Sequence, residues 1–293
     1  MTRTTPPPPF DAASRWPRLA GLDRSTVRLH PRRDPGVGVD QSSLGGPIRW
    51  PKDEPWPECE LPHEDFGGIA GPRPDPGTRY LPVLQLLRSD VPELPFRDDT
   101  DVFQLMWCPN DHSSTYSVVC RAYWWRRDAL RDGDAPPAPT VMLNGYAPGP
   151  CSFHPERVAE YPGIEDLPED LQAPVDERGE AGESRREPTY RWSLSTAPGS
   201  KVGGYPHWFQ EPEWPTCPDG HPMEHLLTVS DHEFDGGTWH RWLPAEEAGT
   251  WDGPTDRRFR IQRPADLDLG MASVYVFLCQ SCPAWPIETI YQR

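Results

Sequence analysis

The cysteines and histidines of the second half of the chain are spaced as metal ligands. The residues of this second-half quartet are Cys217, His221, Cys279 and Cys282. The first two are separated by three residues and the last two by two, and turn-forming proline or glycine lies beside each pair. Three thiolates and one imidazole are typical of a closed, structural zinc site. Such soft ligands disfavour magnesium and calcium. We therefore predict a structural zinc ion here.

A second set of ligands lies in the first half of the chain. The residues of this first-half quartet are Cys59, His63, Cys108 and His112. Two cysteines and two histidines also suit tetrahedral zinc. Because a Cys-x3-His pair is less specific than Cys-x2-Cys, the sequence favours the second-half site over this one. The alternative for both quartets is a set of unrelated buried thiols and surface histidines.

One motif overlaps the second-half quartet and predicts a different chemistry. His221, Glu224 and His225 match the pattern H-x-x-E-H. In inverted metalloproteases a helix carries both histidines, and the glutamate activates a zinc-bound water. Pro222 interrupts the pattern here, and the first half has no counterpart of its second histidine. The sequence therefore favours a non-enzymatic protein, with a zinc-dependent hydrolase as the alternative.

The two quartets belong to an internal repeat. A shift of 158 positions places the glycine pair at 45–46 on the pair at 203–204, and eight of 22 aligned residues are then identical. In the first copy these residues are Ser42, Gly45, Gly46, Trp50, Trp56, Pro57, Cys59 and His63. Self-similarity of this kind indicates a duplicated structural unit. The repeated tryptophans are interpreted as core residues of that unit.

The elements that position these residues are predicted to be short strands. The chain has 293 residues, of which 40 are proline and 13 tryptophan, and proline disfavours long helices. Alternating or apolar runs predict strands at 26–30, 80–87, 101–107, 115–125, 226–229, 273–278 and 287–291. The predicted fold is a β-rich α+β fold in which two similar, mostly β units pack together, with few short helices and many loops.

Composition divides the chain into four regions. Residues 1–24 are predicted to be a flexible arm, and residues 25–160 the first repeat unit. Residues 161–189 are predicted to be an acidic linker with a short helix, and residues 190–293 the second repeat unit. The Gly- and Pro-rich segment 66–78 is predicted to be a surface loop.

The charge of the chain limits its partners. The formal net charge is −16, which argues against nucleic acid and against an anionic membrane as partners, because both attract basic surfaces. No apolar run approaches the ~20 residues of a transmembrane helix, and the sequence does not start with a signal peptide. We therefore predict a cytoplasmic protein that is compatible with a basic protein partner.

Three motifs of the first half resemble the YwqG-like family, a group of bacterial proteins of unknown function. The residues that carry this resemblance are Ser42-Ser43-Leu44-Gly45-Gly46-Pro47, Trp56-Pro57 and Leu84-Gln85-Leu86. The resemblance covers about residues 27–293 and implies a duplicated, β-rich α+β fold.

Residues 200–208 and 274–282 are also similar to the N-terminal part of eukaryotic programmed cell death 2 proteins. That similarity implies a zinc-site protein of the kind implicated in chaperoning a ribosomal protein. The chain departs from this family at His221, where the family has a cysteine, and it lacks the family's remaining cysteine-rich segment.

Together these features predict a zinc-stabilised protein with a protein-binding or chaperone-like role. Besides the hydrolase, one further alternative is a carbohydrate- or peptide-binding module lined by tryptophans. That alternative requires exposed, adjacent tryptophans, and the candidates are Trp124, Trp125, Trp239 and Trp242.

Overall fold

Two six-stranded antiparallel sheets form the framework of the computed structural model. The structure describes residues 2–63, 77–112, 117–131, 145–176 and 188–293. The strands of these residues are, in chain order, β1 (Arg24–Arg28), β2 (Arg32–Arg33), β3 (Ser43–Leu44), β4 (Leu81–Leu87), β5 (Val102–His112), β6 (Ser117–Trp125), β7 (Cys151–Ser152), β8 (Glu156–Glu160), β9 (Lys201–Gly203), β10 (Glu224–Ser230), β11 (Ser273–Leu278) and β12 (Ile287–Gln292). Sheet A has the order β12-β11-β10-β9-β1-β8, and sheet B the order β6-β5-β4-β3-β7-β2.

The helices are short, as the high proline content predicts. The α-helices are α1 (Ala12–Arg15), α2 (Arg127–Leu130), α3 (Glu169–Val175), α4 (Tyr190–Ser193), α5 (Trp239–Trp242) and α6 (Thr255–Gln262). Single 3-10 turns lie at Pro17–Leu19, Ile164–Asp166 and Ala245–Thr250. Among the described residues, no helix has the length and apolar character that crossing a bilayer requires. The predicted β-rich fold with few short helices and many loops is confirmed.

The predicted strands form, with ends that differ by a few residues. The segment predicted at 273–278 coincides with β11, and the segment predicted at 101–107 extends to His112 as β5. Three predictions fall wholly or partly outside the described residues. They are most of the surface loop at 66–78, the start of the strand at 115–125 and residues 177–187 of the acidic linker.

The two sheets correspond strand for strand. The register between β10 and β11 shifts between His225 and Leu227, and the register between β4 and β5 shifts between Pro82 and Leu84. These two β-bulges lie 143 positions apart and occupy the same place in each sheet. A bulge bends a strand and leaves one residue unpaired. The repeat seen in the sequence is therefore a repeat of sheet architecture, including its irregularities.

Two chain segments cross from one sheet to the other and join them. β1 of sheet A leads into β2 of sheet B, and β7 of sheet B leads into β8 of sheet A. The segments share one antiparallel register, in which Arg24–Arg28 pair with Glu156–Glu160 in sheet A and Arg32–Arg33 pair with Cys151–Ser152 in sheet B. We call these two segments, residues 24–33 and 151–160, the crossing ribbon. The predicted first unit therefore supplies two strands of sheet A, and the sheets do not divide at the predicted linker.

The crossing ribbon is itself repeated. His30-Pro31 recurs as His154-Pro155, 124 positions later. The pairing agrees with this shift, because Arg28 pairs with Lys201 in sheet A and Ser152 pairs with Ser43 in sheet B. The second copy therefore begins near residue 148, and residues 161–189 are an insertion within it.

The sheets enclose a common core. One buried cluster contains side chains from both sheets, including Leu84 and Leu105 of sheet B and Leu227 and Val276 of sheet A. A second cluster joins the start of the chain to the insertion, with Leu19 fully buried among helical residues of 164–175. The region predicted as a flexible arm is thus anchored where it contacts the insertion.

Candidate metal centres

The ligand atoms of the second-half quartet converge beside one end of β11. All four lie within 4.8 Å of one another. The Sγ of Cys217 is 3.5 Å from Nδ1 of His221 and 3.7 Å from Sγ of Cys282. Nδ1 of His221 is 3.3 Å from Sγ of Cys282 and 3.9 Å from Sγ of Cys279. A tetrahedral ion with bonds of about 2.0 Å to nitrogen and about 2.3 Å to sulfur needs ligands roughly 3.5–3.8 Å apart. The donor set and its spacing therefore suit one metal ion.

Two turns deliver these four ligands. Thr216 and Pro222 form a β-bridge, and the N–H of Cys217 donates to the carbonyl of His221 at 2.9 Å, so the Cys-x3-His segment is a closed hairpin loop. Gly220 permits the turn with a φ of +79°, a conformation that side chains disfavour. The turn between β11 and β12 carries the other two ligands, beginning with Cys279 directly after β11.

The ligand atoms of the first-half quartet also converge within 4.8 Å of one another. The Sγ of Cys59 is 3.3 Å from Nε2 of His112, and the Sγ of Cys108 is 3.3 Å from Nε2 of His63. Cys108 and His112 both belong to β5, whose register with β6 shifts between them. The structure therefore brings all eight predicted ligands into two groups, each of which could hold a metal ion.

The two quartets occupy equivalent positions in the two copies. The pairing of β4 with β5 and of β10 with β11 aligns Cys108 with Cys279. The fourth ligand differs, because Cys282 lies in a hairpin turn and His112 lies within a strand. The sequence suggested only that the two halves carry their ligand pairs and strands in the same order. The structure shows that the ligands also occupy equivalent positions in the strand pairing.

Hydrogen bonding and burial shift the pKa values of thiols in both quartets. In the first-half quartet, hydrogen bonding between the two thiols lowers the pKa of Cys59 and raises that of Cys108. In the second, burial of Cys217 opposes ionisation, but backbone N–H groups of His221 and Asp219 lower its pKa to about 7. The neighbouring Asp219 carboxylate raises the pKa of Cys282. One thiol of each quartet therefore ionises before Cys108 or Cys282, and a cation among them would favour ionisation of these two thiols.

The H-x-x-E-H pattern does not form the helix of an inverted metalloprotease. Glu224 and His225 open strand β10, so the helix that this interpretation requires is absent there. His225 is buried, with Nδ1 3.1 Å from the carbonyl of Gly203 and Nε2 2.9 Å from Oγ1 of Thr228. Desolvation lowers its pKa to about 3, which keeps the ring neutral. Both ring nitrogens are engaged away from the quartet.

The four tryptophans proposed as a binding platform are not exposed. Trp242 is 1% exposed, and the other three are only partly accessible. The indole N–H of Trp124 donates to the carbonyl of Pro95 at 2.9 Å, and Trp239 stacks on Trp251 at 4.8 Å between ring centroids. A row of exposed tryptophans, which a sugar or peptide platform needs, is therefore not present at these positions.

The repeated tryptophans instead cover the quartets. Trp208 packs against the buried cluster that contains the cysteines of the second-half quartet. Its indole N–H donates to one oxygen of Asp166 at 3.0 Å, and Trp214 donates to the other at 2.7 Å. Burial raises the pKa of this carboxyl group. Asp166 comes from the insertion at 161–189, and no sequence motif pointed to it.

No profile of a known protein family matches this chain. No curated protein is significantly similar to it either. The resemblance to the YwqG-like and programmed cell death 2 proteins therefore stays a prediction from the motifs.

Proposed function

We propose that each quartet holds one structural zinc ion and that the protein acts by binding another protein. The convergence of four cysteine and histidine ligand atoms within 4.8 Å, twice in one chain, carries the metal assignment. Thiolate and imidazole sets of this composition suit zinc better than the hard divalent cations. Zinc would supply charge neutralisation for the thiolates and a cross-link between chain segments.

Zinc at these positions would stabilise the sheets at their ends. Each quartet joins a Cys-x3-His segment to a β-hairpin that lies at least 40 residues away in the sequence. Binding at such closed sites is often worth about 10–16 kcal/mol and is coupled to folding. A chain with 35% hydrophobic residues would gain much of its stability from these two links.

A structural role fits the ligand number better than a catalytic one. Catalytic zinc sites keep a position open for water or substrate, whereas four protein ligands complete the tetrahedron. Glu224, the glutamate of the H-x-x-E-H motif, is exposed and belongs to strand β10.

The proposed partner is a basic protein, because the chain carries a net charge of −16 and complementary charge speeds encounter. The motif resemblance to programmed cell death 2 proteins supports a chaperone-like role towards such a client.

Metal content tests the zinc assignment. Purified protein should contain two equivalents of zinc per chain by mass spectrometry. Its quartet cysteines should react with a thiol reagent only after the metal is removed. Protein without bound metal whose native thiols titrate freely would overturn the assignment.

A binding experiment tests the proposed role. The tagged protein should retain a discrete basic protein, which after purification should form a stoichiometric complex with it on size-exclusion chromatography. Recovery of abundant chaperones alone would count against the role, whatever the zinc content.

A further inference from the structure

The first residues of the chain lie, without regular secondary structure, in a polar groove. Residues 2–9, here called the leading segment, cross the end of the ribbon and the region after α5. Thr5 is only 8% exposed, whereas the prolines at 7, 8 and 9 are exposed. The side chains of the groove that contact the segment belong to Arg28, Glu156, Arg241, Glu246 and Glu247. We call this the arm groove.

Thr5 is the most closely held residue of the leading segment. Its N–H lies 2.8 and 2.9 Å from the two oxygens of Glu156, and its hydroxyl also donates to that carboxylate. The hydroxyl accepts from Nη1 of Arg28 at 2.7 Å. The carbonyl of Pro6 accepts from Nη1 of Arg241. The groove thus forms hydrogen bonds with both the backbone and the hydroxyl group of the Thr5-Pro6 pair.

The two residues before Thr5 meet acidic side chains. The N–H and hydroxyl of Thr4 donate to the two oxygens of Glu246 at 2.9 and 2.8 Å, and its carbonyl accepts from the N–H of Ala245. Nε of Arg3 donates to Glu247 at 3.0 Å. Hydrogen bonds to charged groups are roughly twice as strong as neutral ones. The contacts of the groove are therefore made to a basic residue and two hydroxyl residues ahead of proline.

The groove offers more hydrogen-bonding groups than the leading segment uses. Nε of Arg28 and Nε of Arg241 are buried without a hydrogen-bond partner, as is Oε2 of Glu233, whose charge acts on Arg28. These three residues are 1%, 7% and 2% exposed. Buried polar groups are normally paired, and each exception indicates an imperfectly satisfied or functional site. The leading segment is thus a partial match to the groove.

The equivalent place in the first copy is an open cavity of about 470 Å³. Ser152, the counterpart of Arg28, lines it together with Ser42 and Asp90. Asp90 follows β4 at the position where Glu233 follows β10, since each lies three residues beyond the strand end. This point of the fold is thus open in the first copy, whereas in the second copy the leading segment lies at it, with Thr5 bonded to Arg28.

We propose that the arm groove is a binding site for an extended basic peptide with a Thr-Pro pair, and that the leading segment is its intramolecular occupant. This inference rests on the proposed protein-binding role and adds the chemistry of the partner. Its acidic rim suits the basic residue, and its buried arginines suit the peptide carbonyls and the hydroxyl group. A partner would bind by displacing the leading segment.

Competition between the segment and a synthetic peptide tests the proposal. The probe is a fluorescein-labelled peptide with the sequence of residues 2–10, and the readout is fluorescence anisotropy with the full chain. In the double variant Thr4→Ala/Thr5→Val the segment loses its hydroxyl contacts. Because a tethered occupant competes at a millimolar effective concentration, this variant should bind the peptide about tenfold or more tightly than the wild type.

Matched controls locate the binding site. Pro8→Ala changes an exposed residue of the leading segment and should bind the peptide as weakly as the wild type. Adding Glu246→Ala, an exposed residue of the groove, to the double variant should weaken binding several-fold. A peptide with valine in place of both threonines should not bind. No binding at millimolar peptide to a folded double variant that retains its metal would overturn the proposal and leave the zinc assignment intact.

Hydrogen exchange of the wild type decides the matter if the double variant does not fold. The amides of Thr4 and Thr5 should exchange faster than those of β11, because the segment leaves its groove without global unfolding. Equal protection of these amides and of β11 would mean that the segment never leaves, and the proposal would then fail.

Discussion

The two quartets share a scaffold but present their first histidine differently. Five residues separate the bridged pair Thr216 and Pro222, whereas twenty separate the equivalent pair Glu58 and Arg79. In the second copy His221 both closes the hairpin with its carbonyl and offers Nδ1 to the quartet. The short loop therefore makes one residue serve the backbone and the metal site together.

In the first copy these two tasks are divided between two residues. The carbonyl of Thr78 accepts the N–H of Cys59 at 2.8 Å, as that of His221 accepts the N–H of Cys217. His63, freed from the backbone pairing, offers Nε2 instead. The hydrogen bonds that hold the first cysteine are thus retained while the loop lengthens and the ligand changes. The two copies thus share the backbone hydrogen bonds around the first cysteine more closely than they share the loop that carries the histidine.

Loss of one ligand should have the largest effect. Cys217→Ser and Cys59→Ser should each reduce the zinc content from two equivalents to one, because neither quartet shares a ligand with the other. Each loss should lower the free energy of unfolding by several kcal/mol, since part of the ~10–16 kcal/mol of zinc binding stabilises the fold. Mass spectrometry and thermal unfolding measure the two effects.

The control for these variants is Cys120→Ala. Cys120 is a buried cysteine outside both quartets, so this variant should keep two zinc equivalents. If either quartet variant also kept both metals, the assignment of that quartet would be wrong.

Removal of Asp166 should affect only the second copy. Trp208 and Trp214 donate to this carboxylate, whereas their counterparts Trp50 and Trp56 donate to backbone carbonyls. Asp166→Ala should lower the free energy of unfolding by about 1–3 kcal/mol, because two indole donors lose their acceptor. Denaturant unfolding, followed by tryptophan fluorescence, measures the loss.

The exposed neighbour of Asp166 provides its control. Glu169→Ala changes a side chain at the start of α3 that faces solvent, and its effect should stay within about 0.5 kcal/mol. An Asp166 variant as stable as this control would show that the carboxylate does not hold the tryptophans.

Acid should weaken sheet A through His225, which has Pro82 as its counterpart in sheet B. Burial lowers the pKa of His225 from 6.5 to about 3. The neutral ring therefore contributes stability that is complete above pH 6.5 and is lost as the pH falls towards 3. Between pH 7 and pH 5 the wild type should lose about 2 kcal/mol more than His225→Gln. Equal losses in denaturant titrations at the two pH values would contradict this.

Closing the first-copy loop should have the smallest effect. Replacement of residues 59–78 by Cys-Pro-Asp-Gly-His reproduces the hairpin of the second copy. The shorter loop should keep both metals and raise the free energy of unfolding by about 1 kcal/mol through its lower closure entropy. Loss of one zinc equivalent would mean that the first-half quartet depends on the Nε2 geometry of His63.

The sequence predicted which cysteines and histidines converge because these residue types are rare and recur at fixed spacing. All eight residues of the two quartets and the β-rich fold were recognisable from the sequence. The strand at 273–278 was placed to the residue because its apolar run is continuous and fully buried.

The crossing ribbon was not predicted, because its repeat lies at a different spacing. His30 and His154 are 124 positions apart, while the glycine pairs are 158 apart, so one shift cannot align both. The insertion at 161–189 supplies 29 of the 34 positions by which the two shifts differ, and its composition is that of a linker. The docking of the leading segment was equally hidden, since Glu156 and Glu246 hold it from positions more than 150 residues away.

The crossing ribbon also relates the two copies to each other in a way that resembles two subunits of a dimer. Each copy gives its first strand to the sheet of the other, as two subunits do when they exchange an arm. A lone copy would leave an inner position of its sheet empty and its neighbours unpaired. The chain is therefore organised like a strand-swapped dimer whose subunits are joined, and each half completes its sheet only with a strand of the other.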